Sequence, residues 1–393
     1  MYDYDVIVIG AGAAGLMCAL TAGQRGRRVL LVDHAVRAGE KIRISGGGRC
    51  NFTNLDCGHG NFISANPHFC RSALAGYSQH DFIAMIDAHG IAWHEKTLGQ
   101  LFCDNSAQQV IDMLVEECER GDVQLLLDTP ISRVTRSEQA FNLQTRRGVF
   151  SAPRLVVASG GKSIPKIGAS GFAYDLAAQF NLGVVTPRAG LVPLVFAPQL
   201  KMALEGLSGI AVAAEVSCQG ARFREALLFT HRGLSGPSIL QISSYWMPGE
   251  AICIDLAPDV EVLALLREQR GAHPRQQAAT ALATVLPRRL AQQLAERSDC
   301  AVGNLAELSD AKLRALAAAV HGWQVVPDGS EGFRKAEVTV GGVATSALNS
   351  RDLEARTVPG LYFIGEAVDV TGHLGGHNFQ WAWSSGVAAG RAV

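Results

Sequence analysis

The chain has 393 residues, of which 48% are hydrophobic and 18% are charged, and it contains 42 glycines and 14 prolines. This length exceeds one ordinary domain, and the composition excludes collagen-like and low-complexity chains while it favours an α/β protein with many tight turns. The formal net charge of -1 excludes binding to polyanions through overall charge, so a nucleic-acid partner would need a local basic patch.

The first predicted element is a buried parallel strand over residues 6–9, followed by a Gly-rich turn, a helix and a second apolar strand that ends at Asp33. The turn glycines Gly10, Gly12 and Gly15 have the spacing of a dinucleotide-binding fingerprint. Gly10 allows the tight turn, Gly12 lets a pyrophosphate approach the backbone, and Gly15 lets the helix pack on the sheet. Asp33 stands where an acid holds a ribose hydroxyl, about twenty residues past the glycines. This segment therefore predicts a dinucleotide-binding βαβ unit.

The apolar stretch over residues 6–23 approaches the length of a membrane span. Its fingerprint glycines and the preceding Asp3 and Asp5 disfavour both a span and a signal peptide. The nine cysteines are scattered without Cys-x-x-Cys pairs or metal-ligand spacing, which indicates a reducing compartment and predicts neither a disulfide framework nor a metal site. We therefore expect a soluble, cytoplasmic protein.

The segment after the opening unit alternates helical and extended patterns. A Gly-rich loop covers residues 44–51. Helical patterning is present around residues 67–77, 80–89 and 106–120, and short strands are predicted near residues 123–127, 131–135, 141–145 and 155–158. Up to residue 161 we expect an α/β domain that carries a small excursion of strands.

The pattern changes after residue 190. Alternating β-branched runs over residues 191–256, punctuated by Gly and Pro, predict an all-β insert, and the helical periodicity of residues 260–319 predicts a helical subdomain. The end of the chain again has an apolar strand followed by a Gly-rich turn and a helix, like residues 6–23. A dinucleotide domain split by insertions is therefore the simplest interpretation. The predicted boundaries are 1–189 for the first part of that domain, 190–256 for a barrel-like β insert, 257–320 for the helical subdomain, 321–335 for a return through the insert and 336–393 for the C-terminal part.

Four segments favour FAD over a nicotinamide as the bound dinucleotide. They are the fingerprint with Asp33, a strand and small-residue turn over residues 155–161, a strand ending on Glu366, and a Gly-rich turn that opens a helix over residues 375–380. Glu366 could hold the ribityl hydroxyls, and the helix N-terminus would stabilise negative charge on a reduced flavin. Neither a second fingerprint nor a Cys-x-x-Cys motif after the first helix is visible, so NADH or NADPH would visit the flavin transiently, with ping-pong kinetics.

Residues 45–54 (SGGGRCNFTN), 336–343 (AEVTVGGV) and 365–372 (GEAVDVTG) resemble the BaiN/RdsA family of bacterial flavoproteins, and the resemblance covers essentially the whole chain. Residues 93–103 and 227–237 resemble its RdsA branch. The resemblance implies a glutathione-reductase-like FAD-binding Rossmann domain. It also implies FAD- and NADH-dependent reduction of a uridine in large-subunit (23S) ribosomal RNA to dihydrouridine. Other branches are linked to double-bond reduction in steroid-like acids or to oxidation of small amines.

Reduction of an activated C=C bond needs a donor that steadies the developing enolate oxygen and an acid that protonates the adjacent carbon. Cys103, Cys50 and His377 are the candidate acids, in that order. Cys103 could instead be a small buried strand residue, Cys50 could pack beside the flavin, and His377 could cap the last helix. The chain also departs from the family pattern, with His377 where a Tyr is expected and Cys103 where many relatives have Pro.

The predicted cofactor-binding residues lie in the four segments and in the Gly-rich loop. They are Gly10, Gly12, Ala13, Ala14, Gly15, Asp33, Lys41, Ser45, Gly46, Gly47, Gly48, Arg49, Asn51, Ser159, Gly160, Gly161, Gly365, Glu366, Asp369, Gly375, Gly376, Asn378 and Phe379. Arg49 could contact the flavin or the substrate, or form a surface ion pair.

A basic stretch of the helical subdomain is a candidate contact for ribosomal RNA, although a solvated helical face explains it as well. Its members are Arg267, Arg270, Arg275, Arg288, Arg289 and Arg297, opposed by Glu268 and Glu296. The pairs His231 with Arg232 and His94 with Glu95 are weaker candidates for substrate contacts. Two other functions share the FAD features: an oxidase or reductase of a small metabolite, and a flavin-bound RNA-associated protein without turnover.

Overall fold

The computed structural model describes residues 3–393 and divides them into two compact units. Unit 1 contains the residues up to 189 together with residues 337–393, and unit 2 contains residues 190–336. The chain therefore leaves unit 1 once and returns to it once. Within residues 3–393, no helix combines the length and the apolar character that crossing a membrane requires.

The helices and strands are numbered in chain order. The helices are α1 (Ala13–Gly23), α2 (Glu40–Ile44), α3 (Arg71–Gly76), α4 (Gln79–Ala88), α5 (Ala107–Arg120), α6 (Phe172–Gln179), α7 (Pro198–Ala203), α8 (Pro237–Ser243), α9 (Val262–Ala272), α10 (Ala278–Leu282), α11 (Arg288–Arg297), α12 (Asp310–His321) and α13 (His377–Ala392). The strands are β1 (Val6–Ile9), β2 (Val29–Val32), β3 (Asn51–Asn54), β4 (Phe62–Ile63), β5 (Trp93–Glu95), β6 (Gln100–Cys103), β7 (Gln124–Leu126), β8 (Ile131–Arg136), β9 (Phe141–Thr145), β10 (Gly148–Ala152), β11 (Arg154–Val157), β12 (Val184–Gly190), β13 (Leu194–Val195), β14 (Ala211–Cys218), β15 (Ala221–Phe229), β16 (Gly233–Ser235), β17 (Ile252–Asp255), β18 (Trp323–Val325), β19 (Gly329–Ser330), β20 (Val338–Val343), β21 (Leu361–Phe363) and β22 (Thr371–Gly372).

A five-stranded parallel sheet in the order β21-β11-β1-β2-β7 forms the centre of unit 1. Every residue of β1 and β2 is buried, which agrees with their uninterrupted apolar sequences, because a parallel sheet is covered on both faces. The last helix, α13, packs against α1. A Cβ atom on Gly386 would lie 2.7 Å from the carbonyl oxygen of Ala14, so the two helices approach to backbone contact.

A small antiparallel sheet in the order β3-β6-β5 lies beside the Gly-rich loop in unit 1. These short strands were not predicted, because their sequences (NFTN, WHE and QLFC) mix polar and apolar residues without the continuous apolar runs of β1 and β2. The helices predicted around residues 80–89 and 106–120 correspond to α4 and α5, and β7, β8, β9 and β11 lie where strands were predicted.

Unit 2 contains a seven-stranded sheet in the order β18-β17-β14-β15-β16-β13-β19 and the helices α7 to α12. The stretch over residues 190–256 is not entirely extended, since α7 and α8 lie within it. Gly236 adopts a φ of 90° and Pro237 occupies the first position of α8, where proline is well tolerated. The predicted α/β class, with a parallel Rossmann sheet and an antiparallel sheet, is confirmed.

A candidate dinucleotide site at the edge of the parallel sheet

The three fingerprint glycines have different surroundings. A Cβ atom on Gly10, whose φ is 105°, would lie 2.5 Å from the carbonyl oxygen of Ala158, and one on Gly15 would lie 1.8 Å from the carbonyl oxygen of Gly10. A Cβ atom on Gly12 would have no heavy-atom neighbour within 4 Å. Gly10 and Gly15 are therefore required by packing, whereas Gly12 faces open space that a ligand can use.

The N-terminus of α1 is arranged to receive an anion. No side chain caps it, and its first turn contains no acidic residue. The first turn, which includes Ala13 and Ala14, presents backbone N–H groups and the positive end of the helix dipole at Gly12. A pyrophosphate is the ligand for which this combination is suited.

The carboxylate of Asp33 lies next to the fingerprint. It accepts hydrogen bonds from the backbone N–H of Ala11, at 2.6 Å, and of Ala35, at 2.8 Å. Asp33 thus ties the end of β2 to the turn after β1. Its predicted contact with a ribose stays a prediction.

A partly buried ion pair connects α2, the turn after β11 and the segment after β21. The Nζ of Lys41 lies 2.5 Å from Oε2 of Glu366 and donates a second hydrogen bond to Oγ of Ser163 at 2.6 Å. The other carboxylate oxygen of Glu366 accepts hydrogen bonds from Oγ of Ser163 and the backbone N–H of Thr339, both at 2.9 Å. Sequence reasoning missed Ser163 and Thr339, although Thr339 lies in the AEVTVGGV motif.

The small-residue turn after β11 packs on this ion pair. A Cβ atom on Gly161 would lie 2.4 Å from Oγ1 of Thr339, whereas one on Gly160 would meet nothing within 4 Å. Ser159 precedes these glycines and is half-buried. Gly161 is therefore needed for packing, and Gly160 leaves its backbone accessible.

The Gly-rich loop after α2 has left-handed backbone at Gly46, Gly47 and Gly48, with φ values of 57°, 67° and 86°. A Cβ atom on Gly46 would lie 2.8 Å from the ring of Phe102, whereas one on Gly47 would meet nothing within 4 Å. The loop begins at Ser45, whose hydroxyl donates to the carbonyl of Ile42, and its Arg49 is exposed. The loop therefore packs on β6 through Gly46 and stays open at Gly47.

The turn before α13 is held by side chains that the sequence analysis had assigned to the cofactor. Asn378 accepts a hydrogen bond from the N–H of Gly372, at 2.9 Å, and donates one to its carbonyl, at 2.8 Å. Phe379 is half-buried and its ring stacks on that of Trp383, with centroids 5.6 Å apart. A Cβ atom on Gly376 would lie 2.3 Å from a backbone oxygen. These residues shape the turn, and their contacts with a cofactor stay predictions.

Three further predicted residues have structural contacts. The N–H of Gly365 donates to Oγ of Ser385, and a Cβ atom on Gly365 would lie 2.8 Å from that of Ala14, at the N-terminus of α1. Asp369 is buried and accepts a hydrogen bond from the N–H of Ala65, and burial raises the pKa of its carboxyl. The side-chain amide of Asn51 lies 3.2 Å from that of Gln100.

Of the two cysteine candidates, Cys103 lies on β6 and Cys50 immediately precedes the neighbouring strand β3, and both are fully buried. Cys103 ends β6, and its N–H donates to the carbonyl of Arg49 at 2.9 Å, immediately before Cys50. Burial raises the pKa of Cys103 to about 11 and raises that of Cys50 still further, with a contribution from Cys103 itself. Both thiols therefore keep their protons at neutral pH.

His377, at the start of α13, forms a pair that sequence reasoning missed. Its Nδ1 lies 3.5 Å from Sγ of Cys57, and its ring meets those of Phe62 and His373 edge-on. Burial, with a smaller contribution from His373, lowers the pKa of His377 to about 3, and burial raises that of Cys57 to about 11. Both partners are therefore neutral at pH 7. No local pattern connects the two, since they are 320 positions apart in the chain.

The weaker candidates have partners of their own. In unit 2, Arg267 and Arg270 both pair with Asp310, and Arg232 lies 3.5 Å from Glu331. The basic stretch is thus partly neutralised within the chain, and its contact with RNA stays a prediction. In the part of the chain that the structure describes, no group of three or more His, Cys, Asp or Glu side chains is arranged to hold a metal ion.

The glycines, the uncapped helix and the loops around Glu366 form a Rossmann-type site, and comparisons with known proteins identify its family. The profile of the HI0933-like protein Rossmann domain matches residues 4–392. The chain belongs to the HI0933-like family. This confirms the family resemblance that the sequence motifs indicated.

Two curated relatives are ribosomal RNA dihydrouridine synthases. The Escherichia coli enzyme is 54% identical over 98% of this chain and 96% of its own length, and the Haemophilus influenzae enzyme is 43% identical over 98% of both. The 3-dehydro-bile acid delta(4,6)-reductase of Clostridium scindens is 28% identical over 98% of both chains. These relatives and the family make the chain an oxidoreductase enzyme.

Solved structures show the same fold at low identity. A flavocytochrome c3 fumarate reductase in an open conformation is 17% identical with a TM-score of 0.50, over 98% of this chain and 77% of its own. A 3-ketosteroid-delta4-(5alpha)-dehydrogenase from Rhodococcus jostii RHA1 is 15% identical with a TM-score of 0.50, over 99% and 98%. At this identity the likeness concerns the fold alone.

Proposed function

We propose that the chain is an FAD-dependent reductase of an activated C=C bond, and that its substrate is a uridine in 23S ribosomal RNA, which it converts to dihydrouridine in the cytoplasm. The observation that carries the proposal is the 54% identity, over nearly the whole of both chains, to a ribosomal RNA dihydrouridine synthase. A second relative with the same name, at 43% identity, supports it.

The residues at the sheet edge fit FAD. The open Gly12 and the uncapped N-terminus of α1 suit its pyrophosphate, and Asp33 lies where the adenosine ribose would be held. The open backbone at Gly47 and Gly160 leaves room for a ligand that a larger residue would exclude. We assign the remaining predicted cofactor residues to the walls of this site.

FAD, when bound, supplies the hydride that C6 of an electron-poor uracil accepts. The chain must then deliver a proton to C5 and a hydrogen bond to the carbonyl oxygen that gains negative charge. The neutral thiol of Cys103 retains a proton that it can give, and the thiol of Cys50 is the next candidate. At His377 the proton would come from the thiol of Cys57, its hydrogen-bond partner. The imidazole of His377 and the thiol of Cys57 are both neutral. The imidazole would therefore act as a neutral hydrogen-bonding group and not as an imidazolium.

We assign NADH or NADPH as the reductant. The sequence has a single dinucleotide fingerprint, at Gly10, Gly12 and Gly15, and the proposed FAD occupies it. A nicotinamide would therefore leave the flavin before the second substrate binds, which predicts parallel lines in double-reciprocal plots of initial rates. A second candidate function is reduction of a small unsaturated metabolite, which the 28% identity to a bile acid reductase favours.

The deciding experiment is a dihydrouridine map of ribosomal RNA from cells with and without the gene. A single 23S position that loses dihydrouridine on deletion, and regains it with the wild-type gene, is the expected result. An unchanged map would contradict the RNA substrate and leave the small-metabolite reductase. A rapid-mixing test of the purified protein separates the same alternatives, because added RNA should accelerate reoxidation of the reduced flavin only if RNA is the acceptor.

A further inference from the structure

Leu98, in unit 1, has an unfavourable backbone conformation and a side chain that is mostly exposed. Leu98, between β5 and β6, is 69% exposed and has a φ of 53°. Left-handed backbone is unfavourable for a residue with a Cβ atom, and a leucine that is mostly exposed recovers little by burial. Among residues 3–393, Leu98 alone is both an exposed large hydrophobic residue and a non-glycine residue with positive φ. Folding stability therefore does not account for a leucine here.

The backbone that carries Leu98 is held firmly. The carbonyl of Leu98 accepts a hydrogen bond from Nδ2 of the buried Asn54 at 3.0 Å. The carbonyl of Gly99 accepts one from the N–H of Leu55 at 2.8 Å, and the N–H of Gln100 donates to the carbonyl of Thr97. The tip of the hairpin is thus a fixed support from which the leucine side chain projects.

The same hydrogen bonds connect the tip to the candidate site. Nδ2 of Asn54 also donates to the carbonyl of Gly375, at 2.9 Å, in the turn before α13. On the next strand, Phe102 packs against Gly46 of the Gly-rich loop. Leu98 is therefore carried by an element that contacts two of the segments we assign to FAD.

The small apolar area around Leu98 disfavours a protein partner. Leu55, at the base of the tip, is 39% exposed, so the apolar spot consists of two side chains. A stable protein interface needs on the order of 800 Å² from each partner, far more than two aliphatic side chains provide. Lys96 is exposed two residues before Leu98 and can contact a phosphate.

A uridine in folded RNA is stacked on its neighbours, and an enzyme that acts on its ring must move it out of the stack. Proteins that unstack bases insert apolar side chains, including leucine, between base steps. We propose that Leu98 is such a wedge, which fills the space that the target uridine leaves as the base enters the flavin site. The inference rests on the proposed function, and it makes Leu98 a positioning residue.

The test compares two substrates. One is 23S ribosomal RNA purified from a strain that lacks the gene and refolded with Mg²⁺, and the other is an unstructured oligonucleotide that spans the mapped site. For Leu98→Ala, the ratio of the rate on folded RNA to the rate on the oligonucleotide should fall about tenfold, because only the folded RNA must be unstacked. Leu98→Met, which keeps a long apolar side chain, should restore most of that ratio. Val149→Ala, a matched change at a valine that is 60% exposed, should leave the ratio as in the wild type.

The outcomes are distinguishable. If the wild type forms no dihydrouridine in either RNA, the proposed function fails, and the wedge fails with it. If the wild type is active and Leu98→Ala has the wild-type ratio, or loses activity equally on both substrates, the wedge is refuted while the proposed function stands. Thermal melting of Leu98→Ala should match the wild type, because the side chain is exposed.

Discussion

Lys41 and Glu366 are 325 positions apart in the chain, yet the Nζ of one lies 2.5 Å from the carboxylate of the other. Lys41 belongs to α2, and Glu366 follows β21. Ser163 and the backbone N–H of Thr339 complete the hydrogen bonding of the carboxylate. The ion pair and its hydrogen bonds thus join α2, Ser163, β20 and the segment after β21 beside the proposed flavin site.

Replacing Lys41 by Met should therefore loosen the site. The change leaves a mostly buried carboxylate without its cation, and we expect a loss of about 1–3 kcal/mol in the free energy of unfolding, together with weaker FAD retention. Lys41→Arg keeps the charge and should lose less of both. Thermal melts and the flavin content after dialysis measure the two effects. Equal melting temperatures for Lys41→Met and the wild type would show that the pair is not needed for folding.

Alanine substitutions at two fingerprint glycines should have opposite effects on folding and on FAD binding. A Cβ atom at Gly12 enters open space, so Gly12→Ala should fold with nearly wild-type stability and lose FAD. A Cβ atom at Gly15 would overlap the carbonyl oxygen of Gly10, so Gly15→Ala should lose about 3 kcal/mol or more, or fail to fold. Melting of the flavin-free proteins and flavin absorbance after purification distinguish the two. Retention of FAD by a folded Gly12→Ala would contradict the assigned pyrophosphate site.

Cys103→Ala tests the proton donor. If its thiol protonates C5, the rate of dihydrouridine formation in a single turnover of pre-reduced enzyme should fall by about 10²–10⁴-fold. Cys118→Ala removes another buried thiol, on α5, and serves as the matched control for loss of packing. A full wild-type rate for Cys103→Ala would move the assignment to Cys50 or to the pair of His377 with Cys57.

The buried His377 and the half-buried His373 predict sensitivity to acid. Burial lowers the pKa of His377 from 6.5 to about 3 and that of His373 from 6.5 to about 4. Between pH 6.5 and pH 4 these imidazoles are protonated in the unfolded chain and neutral in the folded protein. The free energy of unfolding therefore decreases as the pH falls from 6.5 towards 4. His377→Asn should show a shallower fall in melting temperature across that range. An unchanged pH dependence would mean that His377 is accessible to protons in the folded protein.

The parts of the fold that the sequence predicts are those encoded by neighbouring residues. The strand before Gly10 and the helix after it appear as one continuous pattern, and the spacing of the glycines specifies their turn. The parallel sheet follows from apolar runs such as residues 6–9 and 29–32. These expectations depend on local chemistry, and the structure confirms the fold class for that reason.

The rest depends on contacts that no local pattern encodes. The pairing of Cys57 with His377 joins positions 320 residues apart. Asn378 stays a predicted cofactor residue, and the motif does not show that its side-chain amide also closes the turn on Gly372. At the hairpin tip, the local sequence predicts a positive φ for Gly99 and not for its neighbour Leu98. Both residues have a positive φ.

The packing of α13 on α1 bears on how the chain is made. Arg25, just after α1, donates a hydrogen bond to the carbonyl of Gly390, a residue translated 365 positions later. Until α13 has been synthesised, the face of α1 that contacts Gly386 and Gly390 stays exposed. The dinucleotide-binding unit therefore completes its packing only once α13 has joined α1, and we expect stable loading of the cofactor to need both parts of unit 1.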